Sequence, residues 1–466
     1  MEIEVELKIP IKKNFDIREF LEEREKRVLY QRELIKKWGT SIISMRANYP
    51  GEEKNEALPL NIVEIVKNEI CDILKNKIIG IEKLNTLEGR SYIIGIDMPE
   101  MEIKKISIEV EENHLLGRCV DIDIFSSEGT PISRENLGYS KRKCYICGES
   151  AFVCGRSGKH SLIEIKENIR QRYEEYLVTQ QKNENYSDGL ADLALKSMIL
   201  EVSTNPSFGL VSPMTKGAHD DMDFFMFIDS SFAIKPYLKE MAMCGFSSLP
   251  LKIIFQKIKN IGIEAEKKMF EITKGVNTHK GMIFLLGIGI SAVGKCLYEK
   301  KNNKEIKKII IEMCSDILKD FEDINKKEKI TNGEKLYLEY GVTGVRGEVF
   351  NGLEIVFEKG LKELEKLLLG GVKINSAMVQ TLLYYMTFVE DTTILHRHKL
   401  KGLKAVQEET KEVYEIGGYL IKEGQTKIEE LEKKYTKNRI SPGGSADLLA
   451  ITLFFYEVKQ KYFNGV

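Results

Sequence analysis

The alternation of apolar and polar positions changes character near the middle of the chain, and the change predicts two domains. In the first part, "DIREFLEEREKRVLYQRELIKKWG" has helical spacing and opposite-charge pairs, while "TSIISMRANYP" and "RSYIIGID" read as extended. "ISIEVEENH" leads through "LLGR" into "CVDIDIF", where alternating polar and apolar residues argue a strand. From about residue 187, helical segments follow one another: "DGLADLALKSMILEVS", "DFFMFIDSSFAIKPYLKEMAM", "LKIIFQKIKNIGIEAEKKMFEIT" and "SAMVQTLLYYMTFVE". Strand signals almost vanish there. The polar stretch "KENIRQRYEEYLVTQQKNENYSDG" between the two regimes predicts a helix that loosens near Asn183 to Asp188. The pattern therefore predicts an α+β domain over 1–180 and an all-α domain over 187–466. No internal repeat is evident, and the Lys/Glu-rich pieces near 297–330 and 401–437 read as solvated helix faces.

Composition narrows the class. A chain of 466 residues has room for two or three cores, and 42% hydrophobic with 30% charged residues is ordinary for a folded protein. A net charge of −1 argues against nucleic acid held on a broad basic surface. The start "MEIEVELKIPIKKNF" lacks the charged-then-apolar order of a secretory signal. The longest apolar run, "MIFLLGIGISAVG" (282–294), is too short to span a bilayer and reads as a buried core helix. Eight cysteines are too sparse for a disulfide scaffold. A cytoplasmic location without membrane association is expected.

Chemistry enters at a few clusters. "GRCVDIDIF" puts Asp121 and Asp123 two apart on a strand, so both side chains leave one face. Such carboxylates repel unless a cation sits between them, and Mg²⁺ on a triphosphate is the natural occupant. Gly117 allows close approach and Arg118 adds positive charge. The plainer reading is an exposed strand face. "KCYICGESAFVCGRSGKH" spaces Cys144, Cys147, Cys154 and His160 as C-x2-C-x6-C-x5-H, a set of zinc-ligand types. Read otherwise, these are partly buried thiols beside a basic loop of Arg142, Lys143, Arg156 and Lys159 suited to phosphate.

In the second half, "GAHDDMDFFMF" (217–227) sets His219 beside Asp220, Asp221 and Asp223. Acids in a first turn oppose the positive end of a helix, but the same cluster suits a cation or polyphosphate. "GVNTHKGMIFLLGIG" offers His279, Lys280 and free N–H groups to an anion at a helix entrance. "ISPGGSADLLAITLFF" places Gly443, Gly444 and Ser445 where backbone can approach a phosphate, and is also a sound cap. "YGVTGVRGEVFNG" adds Arg346 and Glu348, and "EDTTILHRHK" adds Asp391, His396 and Arg397. Together these polar helix entrances favour a Mg²⁺–triphosphate pocket.

At these residues the chain resembles two known families. Residues 1 to about 180, through Arg32, "NYPGEEK" (Asn48, Pro50, Gly51, Lys54), "EENHLLGRCVDIDIF" and "KCYICGESAFVCGRSGKHS", resemble apo-citrate lyase phosphoribosyl-dephospho-CoA transferase. Residues 187 to 466 resemble triphosphoribosyl-dephospho-CoA synthase through "EVSTNPSFGLV", "GAHDDMDFFMFIDSS", "GVNTHKGMIF", "YGVTGVRGE" and "ISPGGSADLLA". The resemblance implies a nucleotidyltransferase-like front domain and an all-α synthase domain in one bifunctional enzyme. The synthase would join ATP and 3′-dephospho-CoA with loss of adenine. The transferase would pass the phosphoribosyl-dephospho-CoA unit to a serine of the citrate lyase acyl carrier protein (gamma subunit), with loss of pyrophosphate. Glu201, Asp220, Asp221, Asp223 and Glu348 are the implied catalytic acids, with Asp221 also a Mg²⁺ ligand. His219, Lys280 and Arg346 are implied phosphate binders, with His279 and the Gly443–Ser445 stretch at the nucleotide. Asp121 and Asp123 would hold Mg²⁺ in the transferase, and Lys54, Arg118 and Arg142 would steady its charge. The chain departs from the synthase pattern at "PSFGLV" for "PKPGLV" and at "DTT…HRHK" for "DTN…HRGG", where His398 and Lys399 stand for two glycines. Two rival readings are a helical metal-dependent phosphohydrolase and a non-catalytic module that binds nucleotide and carrier.

Overall fold

A computed structural model describes residues 16–144, 146–322, 324 and 330–463. The opening stretch read above for a signal, and part of the Lys/Glu-rich stretch before residue 330, lie outside the described residues. The chain divides into two compact units, Met1–Lys182 and Asn183–Val466.

The first unit carries one antiparallel sheet of β1 (Ser41–Ala47), β2 (Ile78–Thr86), β3 (Gly89–Ile96), β4 (Val120–Phe125) and β5 (Pro131–Ile132), in the order β2-β3-β1-β4-β5. Its helices are α1 (Ile17–Trp38), α2 (Ala57–Leu74), α3 (Glu100–Asn113) and α4 (Ala151–Ser157). Period-two alternation on β4 buries Val120, Ile122 and Ile124 in the main core with α2 and α3 residues such as Ile62, Val66 and Ile103. The opposite face of β4 carries Asp121, Asp123 and Phe125. "ISIEVEEN" lies within α3, where Ile103, Ser107, Ile108 and Glu111 turn inward at helical spacing.

The second unit is helical. One helix, α5 (Leu162–Val202), runs through the dividing point at residue 182, so the loosening expected near Asn183 to Asp188 does not occur. Asn183 and Ser187 are buried, and Lys239 pairs with both Glu184 and Asp188, so packing overrides weak local propensity. There follow α6 (Phe224–Gly245), α7 (Leu251–Ile272), α8 (Lys280–Tyr298), α9 (Glu305–Met313), α10 (Lys319–Glu322), α11 (Asn332–Tyr340) and α12 (Gly344–Phe350). The last five are α13 (Leu361–Leu369), α14 (Ile374–Met386), α15 (Thr392–Glu415), α16 (Lys422–Asn438) and α17 (Gly443–Val458). Among the described residues α8 alone is long and apolar enough to cross a membrane, yet 78% of its apolar window is buried inside the protein. Three of its four glycines, Gly287, Gly289 and Gly294, let Met241, Phe455 and Phe246 press against it.

Helix α15 is kinked at Lys399, whose φ of 61° and ψ of −178° belong to a region that glycine occupies freely. The lysine that replaces a family glycine thus sits in strained backbone. Lys399→Gly is expected to raise stability by about 1 kcal/mol, read as a small upward shift in thermal midpoint. An unchanged or lower midpoint would remove the strain argument.

Candidate active sites

In the first unit, the pairing of β1 with β4 sets Arg46 opposite Asp121 and Ser44 opposite Asp123. The Arg46 guanidinium stands 3.6 Å from Asp121 and 3.8 Å from Asp123. An arginine that the sequence reading did not single out thus stands within ion-pair range of both carboxylates. Both contacts are beyond hydrogen-bond length. Arg142 donates to Asp121 at 2.8 Å and is anchored from behind by buried Glu111, which also takes Arg134 at 2.8 Å. Such a buried acid orients arginines because a bidentate fork has one good geometry. Lys54 lies nearby, its ammonium pKa lowered by burial and secondly by the Arg46 charge. A cavity of about 590 Å³ is walled by Asn48, Tyr49 and Pro50 of the "NYPG" turn and by Glu111, Arg118 and Arg142. That volume and those cations suit a nucleotide-sized anion. Cys144, Cys154 and His160 form part of the same wall.

In the second unit several of the motifs converge. Asp223 is the N-cap of α6 and accepts the Met226 N–H at 3.0 Å, so the plain helix-start reading describes it. Asp220 is exposed and pairs with Arg439 at 2.6 Å. His219 Nε2 meets Ser441 Oγ at 2.9 Å, while Asp221 stands 3.9 Å from its Nδ1. Burial first, then the nearby Arg397 charge, lowers the His219 pKa, which leaves it a neutral hydrogen-bonding group at neutral pH. These contacts, with that of His398 Nε2 to the Arg439 carbonyl, draw the 217–223 loop, the start of α15 and the turn before α17 together.

At the two helix entrances expected to receive phosphate, carboxylates of this chain lie close by. At the start of α17, Ser445 donates its N–H at 2.8 Å and its hydroxyl at 3.1 Å to Asp391. The other Asp391 oxygen caps α15 through the N–H groups of Thr393 and Ile394. Gly443 and Gly444 leave room for Thr393 and Asp391 to approach. At the start of α8, a Cβ on Gly281 would fall 2.0 Å from a carboxylate oxygen of Asp447. These glycines thus give acids of this chain close approach. His279 is wholly buried among Ser230, Ser231 and Thr278, and burial pushes its pKa down to about 3, so it is a neutral core residue. Lys280 is exposed and pairs with Glu266 at 2.8 Å.

What these ends enclose is a group of acids. Glu201, in the last turn of α5, is 6% exposed and its Oε2 has no hydrogen-bond partner. Burial, then the charge of Asp447, pushes Glu201 up to about 8. Asp447 keeps part of its surface open, and its depth, then Asp391, holds its pKa well above the ordinary carboxylate range. Asp447 was not among the acids singled out in the sequence, although a lone carboxylate near the start of the apolar run "SADLLAITLFF" is a visible anomaly. Glu348 lies apart from this pair, raised to about 7 by burial and then by Glu354 and Glu390. Arg346 packs over Phe321 at 5.0 Å and points a buried, unbonded Nη1 near Glu334.

Among the described residues, the one group of three or more His, Cys, Asp or Glu donors close enough to share an ion is Cys144, Cys147, Cys154 and His160. Among the described residues the His219–Asp223 cluster forms no such set.

A family model for ATP:dephospho-CoA triphosphoribosyl transferase, CitG, matches residues 187–464, and one for apo-citrate lyase phosphoribosyl-dephospho-CoA transferase, CitX, matches 15–176. A curated relative, "Protein CitXG" of Leuconostoc mesenteroides subsp. cremoris, is 32% identical over 94% of this chain and 96% of its own length. The chain belongs to the CitXG family. The CitXG of Haemophilus influenzae is 28% identical over 93% of this chain and 94% of its own length. A Vibrio cholerae "Probable 2-(5''-triphosphoribosyl)-3'-dephosphocoenzyme-A synthase" is 39% identical over 58% of this chain and 88% of its own length. As a CitXG protein, this chain is a bifunctional transferase. It makes the triphosphoribosyl-dephospho-CoA precursor and transfers the phosphoribosyl-dephospho-CoA unit to apo-citrate lyase.

Proposed function

We propose that Glu201 and Asp447 form the acid–base pair of the synthase half. Displacing adenine from the ATP ribose requires a base for the attacking 2′-hydroxyl of 3′-dephospho-CoA and an acid for the departing ring nitrogen. Two neighbouring carboxyl groups, both raised and one of them raised by the other's charge, hold one proton between them near neutrality, which supplies both functions. Asp447, at the positive end of α8, is the better anion and takes the hydroxyl proton. Glu201, buried with an unbonded oxygen, keeps its proton and gives it to adenine. The C–O bond forms at the anomeric carbon as the C–N bond to adenine breaks. Asp391 positions α15 against α17, and His219, Lys280 and Arg346 line the approach of the triphosphate.

In the front half, the alternation of Asp121 and Asp123 on one strand face of an antiparallel sheet supports a nucleotidyltransferase-like site. Two open carboxylates plus substrate phosphates are what Mg²⁺ commonly takes, and the ion would neutralise charge on the triphosphate when bound. Arg142, fixed by Glu111, and Arg118 hold the phosphates, with Lys54 close by. The carrier serine oxygen attacks the phosphorus nearest the ribose, and the bond to pyrophosphate breaks. The thiol–imidazole cluster suits a softer ion, Zn²⁺. The enzyme works in the cytoplasm on ATP, 3′-dephospho-CoA and the acyl carrier protein.

The observation that carries this reading is the pair of raised carboxyls where the synthase motifs meet, with Glu201 raised by burial and then by Asp447, and Asp447 by burial and then by Asp391. The test is incubation of the purified chain with Mg²⁺, ATP, 3′-dephospho-CoA and apo acyl carrier protein. A carrier heavier by one phosphoribosyl-dephospho-CoA, with free adenine, is expected. Adenine without carrier modification would reject the front-half assignment, and neither product would reject both.

A further inference from the structure

We propose that Cys144, Cys147, Cys154 and His160 bind one zinc ion that holds Arg142 and Arg118 in place on the wall of the front-unit cavity. The four donor atoms lie within 4.8 Å of one another, although they come from a turn, a helix and a following loop. Two sulfurs on a tetrahedral zinc stand about 3.8 Å apart, given Zn–S bonds of about 2.3 Å. Cys147 and Cys154 stand 3.4 Å apart, close to that separation and far beyond a disulfide bond.

The local chain is built to present them. After Cys144 the backbone turns tightly: Gly148 N–H returns to the Cys144 carbonyl at 3.0 Å, with Gly148 at φ 73°. The Ile146 N–H points at Cys144 Sγ from 3.5 Å, an arrangement that favours a thiolate. Lys143 and Ser150 close the turn as an antiparallel bridge, and α4 then carries Cys154 inward. Gly158 ends α4 in the left-handed region and leads to His160. His160 Nε2 is buried with no hydrogen-bond partner, the state of a nitrogen shaped for a ligand the protein does not itself provide. Three thiolates and an imidazole fill a tetrahedral shell, so the ion is structural and leaves no position for substrate.

The consequence reaches the cavity through short connections. Arg142 precedes Cys144 by two residues, and its carbonyl accepts the N–H of Ala151, the first residue of α4, at 2.9 Å. Arg118 donates to the Lys143 carbonyl. The metal-closed turn therefore fixes the backbone to which both arginines are tied, while Glu111 and Asp121 fix the Arg142 head group. Arg118 and Arg142 are positioned by the ion without touching it. This role rests on the front-half assignment proposed above, whereas the metal site itself does not.

The intact chain, purified without chelator, is expected to contain about one zinc per molecule, the stoichiometry of a closed site. Cobalt substitution should give thiolate-to-metal charge-transfer bands and tetrahedral d–d absorption. His160→Ala and Cys147→Ser should lose the metal and slow carrier modification by about tenfold or more, while adenine release by the second unit stays unchanged. His160→Cys should keep both metal and transfer. Because a variant could lose the front unit's fold, chelation and zinc re-addition on the intact chain provide a second measure, with transfer expected to fall and return. A chain with neither zinc nor a cobalt spectrum would overturn the site. Zinc present but transfer indifferent to its removal would overturn the positioning role. A zinc-loaded chain that never modifies the carrier would instead sink the front-half assignment and leave the metal site standing.

Discussion

Asp447→Asn is expected to lower adenine release by about 10³-fold while raising the thermal midpoint of the protein at pH 8. Loss of activity follows because an amide neither accepts the hydroxyl proton nor shares one with Glu201. The gain in stability follows from linkage. A carboxyl whose folded pKa is raised binds a proton more readily in the native than in the unfolded chain. Its stabilising effect is complete below the ordinary carboxylate range and is lost as pH rises through the folded value. Glu201, pushed up to about 8, and Asp447, raised with it, therefore cost stability progressively between about pH 4 and pH 8. Removing one of the two charges should help most at the alkaline end and little at pH 5. Glu201→Gln should behave alike. Carrier modification supplied with preformed triphosphoribosyl-dephospho-CoA should be untouched in both variants. Wild-type adenine release at pH 8 by either variant would eliminate the pair as the acid–base site. Lost activity without the pH-dependent gain in midpoint would show that the two carboxyls are not coupled in the native state.

Asp121→Asn and Asp123→Asn are expected to leave adenine release intact and to cut carrier modification by about 10²-fold or more, so that the triphosphoribosyl intermediate accumulates. Both acids face outward from a strand whose other side is core, so the fold should tolerate the change. The two variants should nevertheless differ. Asp121 also holds Arg142, so its loss disturbs both phosphate and metal binding, whereas Asp123 contacts Arg46 at 3.8 Å. Raising Mg²⁺ should therefore rescue Asp123→Asn more than Asp121→Asn. Equal transfer by wild type and both variants, read as intact carrier mass, would refute the role of this strand.

Much was legible along the chain because it is written in short-range pattern. The β1, β3 and β4 segments, the apolar α8 and the long helices α6, α7 and α14 follow from periodicity, since period two and period 3.6 place side chains on faces whatever surrounds them. The Cys/His spacing was equally plain, because close sequence neighbours on a turn and one short helix cannot lie far apart. Strand β2 and helix α2 were not singled out. The break expected near Asn183 was absent because buried Asn183 and Ser187 and the Lys239 ion pairs hold that stretch helical.

The sequence by itself determined the change from α+β to helical texture, the faces of the main elements and the motifs that mark the family. Tertiary structure alone decided which polar groups became partners. It set Arg46 beside Asp121 and Asp123, Asp391 and Asp447 at the glycine-rich helix entrances, and His279 in the core. The physical reason is distance along the chain. Asp447 answers Gly281, and Ser445 answers Asp391, across separations that no local period encodes. Whether an acid caps a helix, pairs with an arginine or stays protonated depends on what burial brings beside it.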